Sequence, residues 1–148
     1  MTAKVLLPVD GARNSKTAEE HAVTLHKKMP MQVVLLNVID TRELDGHGLD
    51  PGYKESILAT KRKMSEKALA EAADLFKRAG IEYERRITQG HPASLICQTA
   101  HQEGFDMLII AESGFSEFRD WFMGSVTNYV LYRCKVPVLL VKHPRREK

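Results

Sequence analysis

Five short segments of strand-like character, separated by stretches with helical periodicity, constrain the fold of this chain most strongly. The segments are KVLLPV (4–9), QVVLLNV (32–38), the alternating stretch 81–88, DMLIIA (106–111) and VPVLLV (136–141). Nearly continuous apolar runs are typical of strands that are covered on both faces of a parallel sheet. Regular alternation of strands and helices favours right-handed crossovers. We therefore predict an α/β fold, a five-stranded parallel sheet in a doubly wound, Rossmann-like three-layer sandwich with strand order 3-2-1-4-5.

The segments between these strands carry helix signals. Helices are predicted from Asn14 or Ser15 to the residue before Pro30, over 53–79, from Pro92 to Gly104 and over 124–133. Pro92 suits a first helical position, and Gly80 suits the position just after a helix. The stretch 40–52 is rich in glycine and acidic residues, which predicts a loop. The apolar stripe of the second helix is predicted at Ile57, Met64, Ala68, Leu69, Ala72 and Phe76.

Length, charge and cysteine usage limit the class of protein. A chain of 148 residues predicts one domain, over 1–141, followed by a basic tail over 142–148. That tail holds four basic residues and one acid, so it accounts for the whole net charge of +3 and leaves no basic patch for nucleic acid. No apolar run approaches the ~20 residues that span a membrane, and no signal peptide is evident. Cys97 and Cys134 lack a metal-ligand spacing, which predicts buried unpaired thiols in the reducing cytoplasm.

Two places in the sequence are candidates for a ligand site. In doubly wound folds, ligands bind beyond the carboxyl ends of the strands where the strand order reverses, here after the first and fourth strands. Asp10 follows the first strand and is either a carboxylate that faces a ligand or a turn residue. After the fourth strand, Gly124 and Ser125 open a predicted helix, whose first N–H groups attract anions. In the alternative interpretation Ser125 only caps that helix and Gly114 only makes a turn.

The segment after the fourth strand resembles the nucleotide-binding motif of the universal stress protein family. That family carries G-x2-G-x9-G-[S/T], and this chain carries A-x2-G-x9-G-S from Ala111 through Gly114 to Gly124 and Ser125. The stretches VLLPVDGA, LLNVID, ITQGHPASLI and GSVTNYVLYRCKVPVLLV also resemble the family in type and order, so the resemblance covers nearly the whole chain. It implies the same five-stranded fold and an ATP or AMP-type nucleotide, with or without Mg²⁺ or Mn²⁺.

The resemblance also implies a set of binding residues. Pro8, Val9 and Asp10 would lie beside adenine and ribose, Val38 would wall the adenine pocket, Ile110, Ala111, Ser113 and Gly114 would line the loop, and Gly124, Ser125 and Val126 would hold the phosphates. The chain departs from the family pattern at Ala111, which replaces the first glycine. The loop also carries Glu112, Glu117 and Asp120 against Arg119, and these carboxylates would repel a polyphosphate unless they face outward or a divalent cation intervenes.

No catalytic set accompanies these binding residues. The sequence has no phosphate-binding loop with lysine, no nucleophile elbow and no histidine set for a metal, so we expect at most slow ATP hydrolysis. We predict a cytoplasmic, nucleotide-binding stress-response sensor or protective module. The resemblance implies a homodimer through 136–141, which the apolar character of that strand also favours. The alternative is a nucleotide-free interaction protein that docks a partner through the aromatic loop 115–122, although that loop could also pack on the domain's own core.

Overall fold

The computed structural model describes residues 2–11, 13–45, 48–112 and 124–142. The strands are β1 (Ala3–Pro8), β2 (Met31–Asp40), β3 (Tyr83–Gly90), β4 (Met107–Ala111) and β5 (Val138–Val141), and the helices are α1 (Arg13–His26), α2 (Pro51–Arg78), α3 (Pro92–Gln102) and α4 (Ser125–Arg133), with a 3-10 turn at Arg42–Leu44. The strands form one parallel sheet in the order β3-β2-β1-β4-β5. The predicted fold class and strand order are therefore confirmed.

Two apolar layers cover the two faces of the sheet. On one face, Val5 and Leu7 of β1 pack in a cluster that includes Phe76 of α2, whose side chain is fully buried. On the other face, Leu6 packs in a cluster with residues of α3 and α4, including Val130. Successive residues of β1 thus point into different layers, because side chains alternate across a strand. This double burial explains why the strand reads as a continuous apolar run.

Helix α2 differs from the sequence prediction in its start and in part of its buried face. It begins at Pro51, inside the stretch predicted as a loop, and that stretch also contains the 3-10 turn. The prediction that Met64 lies in the apolar stripe was wrong, because 68% of the residue is exposed. Ser65 is buried instead, and its hydroxyl donates a hydrogen bond to the carbonyl oxygen of Lys61 at 3.0 Å. One residue is a rotation of about 100° around a helix, so Ser65 lies near the middle of the buried face, close to Ala72 and Phe76, while Met64 lies beyond the edge of that face.

The strand order opens a crevice at one edge of the sheet. The chain leaves β1 for α1 on one face of the sheet, whereas it leaves β4 for α4 on the other face. Because β1 and β4 are neighbours, the two departures separate beyond their carboxyl ends. The fold therefore leaves a crevice where the sequence analysis expects a ligand.

Candidate functional site

A cleft of about 200 Å³ occupies the crevice beyond β1 and β4. Its lining is mostly apolar and consists of Pro8, Val9, Asp10, Ser15, Leu36, Asn37, Val38, Pro92, Ile96, Ile110, Ala111, Val126 and Thr127. The cleft brings together these candidate residues from the sequence: Pro8, Val9, Asp10, Val38, Ile110, Ala111 and Val126. Gly124 and Ser125 lie at the start of α4, directly before Val126. Ser113, Gly114 and the aromatic loop 115–122 lie outside the described residues.

Two buried side chains complete the hydrogen bonding of the strand ends below the cleft. The side-chain amide of Asn37 donates to the carbonyl oxygen of Val9 at 2.6 Å, just beyond the end of β1. The hydroxyl of Thr127 donates to the carbonyl oxygen of Ala111 at 3.1 Å, at the end of β4. Asn37 is 7% exposed and Thr127 is fully buried. A buried carbonyl without a partner is costly, so these two bonds allow an apolar cleft at the strand ends.

Asp10 is held at the cleft by a short chain of hydrogen bonds from α1. Its backbone N–H donates to Oγ of Ser15 at 3.4 Å, and the Ser15 hydroxyl donates to Oε2 of Glu19 at 3.2 Å. Ser15 and Glu19 are each only 5% exposed. Burial raises the pKa of Glu19 to about 7, against smaller opposing effects of the Ser15 hydrogen bond and the Lys16 charge. The sequence pattern identified Asp10 but not the two side chains behind it.

The start of α4 forms the opposite side of the cleft. Gly124 is the N-cap residue, with φ −63° and ψ 157°, and the N–H of Asn128 donates to its carbonyl oxygen at 3.0 Å to close the first turn. The first N–H groups of a helix have no partner within the helix, and the helix dipole adds partial positive charge there. Glycine has no side chain that could cap these groups or block an approaching ligand. This end of the helix is therefore suited to an anion.

A polar group lies at the ends of β2 and β3, next to the cleft residues Val38 and Pro92. Hydrogen bonds from Arg42 lower the pKa of Asp40 to about 2, and the shortest contact joins Nη2 of Arg42 to Oδ2 of Asp40 at 2.6 Å. Nη1 of Arg42 also lies 3.2 Å from Nε2 of His91. His91 is the N-cap of α3, with Nδ1 accepting the N–H of Ser94 at 3.4 Å. This agrees with its prediction as a residue of the turn before a helix.

The two cysteines are joined, so the prediction of two unpaired thiols was wrong. Cys97 of α3 and Cys134 at the end of α4 form a disulfide with their Cα atoms 5.0 Å apart. They are 37 positions apart in sequence, and only the packing of α3 against α4 brings them together. Ile96 of α3 and Val126 of α4 both line the cleft, so the disulfide links two helices that form its wall. The argument from free thiols to a reducing compartment no longer holds.

Two features are absent from the described part of the chain. In residues 2–11, 13–45, 48–112 and 124–142, no group of three or more His, Cys, Asp or Glu side chains could hold a metal ion. Over the same ranges, no helix combines the length and the apolar character needed to cross a membrane.

Sequence reasoning missed several lining residues that a closer reading could have found. Asn37 is a polar residue inside an otherwise apolar strand, and a buried polar side chain in such a run is more informative than an apolar one. Ser15 was considered only as a helix start, although its spacing from Ala18 and Ala22 places it on the buried face of α1. Pro92 and Ile96 were assigned to a helix but not to the cleft.

Comparison with known proteins agrees with this fold and shows its family. The sequence profile of the Universal stress protein family matches residues 1–142. Universal stress protein MJ0577 of Methanocaldococcus jannaschii is 28% identical over 155 aligned positions, which cover 96% of each chain. Universal stress protein MJ0531 of the same organism is 26% identical over 144 positions, which cover 97% of this chain and 84% of the relative.

Solved structures share the fold over nearly their whole length. The structure of MJ0577 matches with a TM-score of 0.77 and 28% identity, over 98% of this chain and 99% of the other. A family protein from Arabidopsis thaliana with AMP bound matches with a TM-score of 0.72 and 18% identity, over 96% and 92% of the two chains. A universal stress protein in complex with cAMP matches with a TM-score of 0.67 and 23% identity, over 95% and 97%. With the sequence profile matched over 1–142, this chain belongs to the universal stress protein family.

Proposed function

We propose that this protein binds an adenine nucleotide, ATP or an AMP-type nucleotide, in the cleft beyond β1 and β4. In this proposal it acts as a sensor or protective module of the stress response, with at most slow hydrolysis of ATP. Residues 1–141 form the nucleotide-binding domain, and 142–148 form a tail outside it. The AMP and cAMP complexes of proteins with this fold support the choice of ligand class.

The observation that carries the proposal is the arrangement of chemical groups around the cleft. Asp10 follows β1, the apolar residue Val38 lies on the neighbouring strand β2 to one side, and α4 begins after the neighbouring strand β4 on the other side. A carboxylate accepts hydrogen bonds from ribose hydroxyls, apolar walls suit a purine ring, and a helix N-terminus suits phosphate. An adenine nucleotide carries its base, ribose and phosphates in this order along its length, which matches the order of Val38, Asp10 and the start of α4 across the sheet.

Calorimetric titration with ATP, AMP and cAMP, each with and without Mg²⁺ or Mn²⁺, tests the proposal. We expect saturable binding of at least one of them, and mass spectrometry of the purified protein should detect co-purified nucleotide. The metal is a variable because Glu112 follows Ala111 at the end of β4, where a carboxylate would oppose a polyphosphate unless a cation offsets it. Absence of binding at millimolar nucleotide in every metal state would refute the proposal.

Variants at the two ends of the cleft locate the site. Gly124→Val should weaken binding at least tenfold, because its branched side chain would obstruct the approach to the first turn of α4. The backbone angles of Gly124 are ones that valine adopts, so the fold should survive, which circular dichroism can verify. Asp10→Asn should also weaken binding, whereas the control Asp106→Asn should not. Asp106 precedes β4 at the opposite edge of the sheet, and asparagine can still accept the N–H of Lys4 there. Unchanged affinity in Gly124→Val would place the site elsewhere.

The proposal includes a homodimer formed through residues 136–141. Among the described strands, β5 pairs only with β4, and its residues Val138 to Leu140 are half-buried. The carbonyl oxygens of Pro137 and Val141 accept hydrogen bonds from the β4 side, so the alternation of a strand turns the N–H of Leu140 outward. Leu140→Pro should therefore abolish the dimer, while Leu140→Ala, which keeps the N–H, should retain it. Sedimentation velocity measures both, and a wild-type monomer would refute this part of the proposal.

The proposed location is the cytoplasm, where adenine nucleotides are abundant. Disulfides are rare there, so this location requires that the bond between Cys97 and Cys134 opens in the thiol pool. Trapping of free thiols in acid-quenched cells, followed by mass spectrometry of the two cysteine peptides, measures their state. Full retention of the disulfide in growing cells would argue for an oxidising compartment.

A further inference from the structure

Glu19 is a buried carboxyl group that the proposed binding of nucleotide does not use. It lies on α1, is 5% exposed, and accepts a hydrogen bond from the hydroxyl of Ser15, which lines the cleft. A carboxyl group is among the groups least often fully buried without a partner of opposite charge. Its position one hydrogen bond behind a cleft residue indicates a role at the site rather than in the core.

The hydrogen bonds assign a direction to this contact. The Ser15 hydroxyl has one hydrogen, and Glu19 Oε2 accepts it at 3.2 Å. The Ser15 oxygen is then left to accept the backbone N–H of Asp10, at 3.4 Å. The carboxyl group of Glu19 therefore fixes the rotation of the Ser15 hydroxyl, which in turn supports the turn that carries Asp10.

The charges around Glu19 are mostly of its own sign. Asp10 of the β1–α1 turn and Glu71 of α2 both oppose its ionisation, whereas Lys16 on its own helix favours it. Nζ of Lys16 lies 3.6 Å from Oε2 of Glu71, so part of that positive charge is already balanced. The residues of β4 and β5 that pack in the same core cluster are apolar, namely Ile109, Ala111 and Val141. A further anion in the cleft would therefore act on Glu19 in a poorly screened environment.

We propose that Glu19 is a positioning residue for Asp10 and that its protonation couples nucleotide affinity to pH. This inference rests on the proposed nucleotide binding. The phosphates of a nucleotide disfavour a second negative charge nearby, so binding favours the protonated form of Glu19. By linkage, protonation favours binding to the same extent, and the affinity falls as the pH rises through neutrality.

Comparison of wild type with Glu19→Gln isolates this residue. Glutamine is close in shape to the protonated acid and can accept the Ser15 hydrogen bond, so the variant should bind as the protonated protein does at every pH. ATP itself titrates in the same range, but its contribution is common to the two proteins. The quantity to measure is therefore the ratio of the two ATP dissociation constants between pH 5.5 and 8.5. We expect the dissociation constant of wild type, divided by that of the variant, to rise about tenfold over this range. A tenfold change corresponds to a Glu19 pKa that is one unit higher in the bound protein than in the free protein.

Two further variants separate positioning from charge. Glu19→Ala lacks the charge, as Glu19→Gln does, and also lacks the acceptor for the Ser15 hydroxyl, so it should bind ATP more weakly than Glu19→Gln at all pH values. Glu20→Gln is the control, because Glu20 is the exposed neighbour of Glu19 on α1, so the affinity of this variant should keep the pH dependence of wild type. A ratio that stays flat for Glu19→Gln, or an affinity of Glu19→Ala equal to that of Glu19→Gln, would overturn the inference.

Titration of Glu19 without nucleotide tests this inference separately from the proposed function. Carbon-13 NMR of the glutamate carboxyl groups, with the Glu19 signal assigned by its loss in Glu19→Gln, follows its titration directly. We expect a midpoint near pH 7 in the free protein and a higher midpoint when ATP is added. A free-protein midpoint near the ordinary 4.5 refutes the inference even if ATP binds, whereas a midpoint near 7 without binding of ATP, AMP or cAMP refutes the nucleotide coupling together with the proposed function.

Discussion

Reduction of the disulfide between Cys97 and Cys134 should destabilise the protein by a calculable amount. The bond closes a loop of 37 residues, and in the chain-entropy treatment a loop of this length restricts the unfolded chain by about 3.8 kcal/mol at 25 °C. Urea unfolding of a protein of this size has a slope of about 2 kcal/mol per molar. The unfolding midpoint should therefore fall by about 2 M urea when the bond is reduced.

Circular dichroism during urea unfolding, with and without a phosphine reductant, measures this change. A thiol assay must first show two free thiols per chain after reduction, because both cysteines are only half-buried and should be accessible. The double variant Cys97→Ser with Cys134→Ser is the control, since its midpoint should not respond to the reductant. Equal urea midpoints for oxidised and reduced wild type would show that the bond does not stabilise the protein by restricting the conformations of the unfolded chain. The calculation from loop length would then be refuted.

Three other changes test the polar groups around the cleft. Asn37→Leu should lower the free energy of unfolding by about 1–3 kcal/mol, because it leaves the buried Val9 carbonyl unpaired; an unchanged urea midpoint would contradict this. Glu19→Gln should match wild type near pH 4.5 and become about 3 kcal/mol more stable above pH 7, because folded Glu19 keeps its proton up to about pH 7 and the unfolded group does not. The Arg42–Asp40 pair stabilises the fold above the unfolded pKa of Asp40, and this contribution is lost as the pH falls towards 2; acid titration of Arg42→Ala should therefore show a smaller loss than wild type.

Most of the fold could be predicted because local patterns determine it. The five strand segments and the periodic segments between them were sufficient for the sheet and its order, since connection rules leave few arrangements of alternating strands and helices. Errors occurred where local signals compete. Glycine and acidic residues predicted a loop up to Gly52, but Pro51 is a favourable first helical residue and α2 begins there. Met64 was placed on the wrong face because an apolar side chain does not by itself indicate burial.

The site was less predictable because much of it depends on contacts between distant parts of the chain. Asp10 follows from its position after β1, and Val126 follows from the resemblance of its segment to the family motif. The disulfide does not, since a separation of 37 residues carries no signature and two helices must pack before the cysteines meet. The bond from Asn37 to Val9 likewise joins residues 28 positions apart. Motif and periodicity arguments describe neighbours along the chain, so they identify the edge of the sheet but not the side chains that complete it.

The strand ends below the cleft are already hydrogen-bonded, but the carboxyl groups around the cleft are unfavourable for a nucleotide phosphate. Asn37 and Thr127 already hydrogen-bond the carbonyl groups at the ends of β1 and β4. A ligand would therefore lose little binding free energy to the ordering of these groups. In contrast, Asp10, Glu19 and Glu112 bring carboxyl groups close to the place where we propose that phosphate binds. The N-terminus of α4 offsets this only in part, because the partial charge of a helix end is about half a unit. The affinity should therefore respond more to the removal of charge, by a divalent cation or by protonation of Glu19, than to changes in the apolar wall.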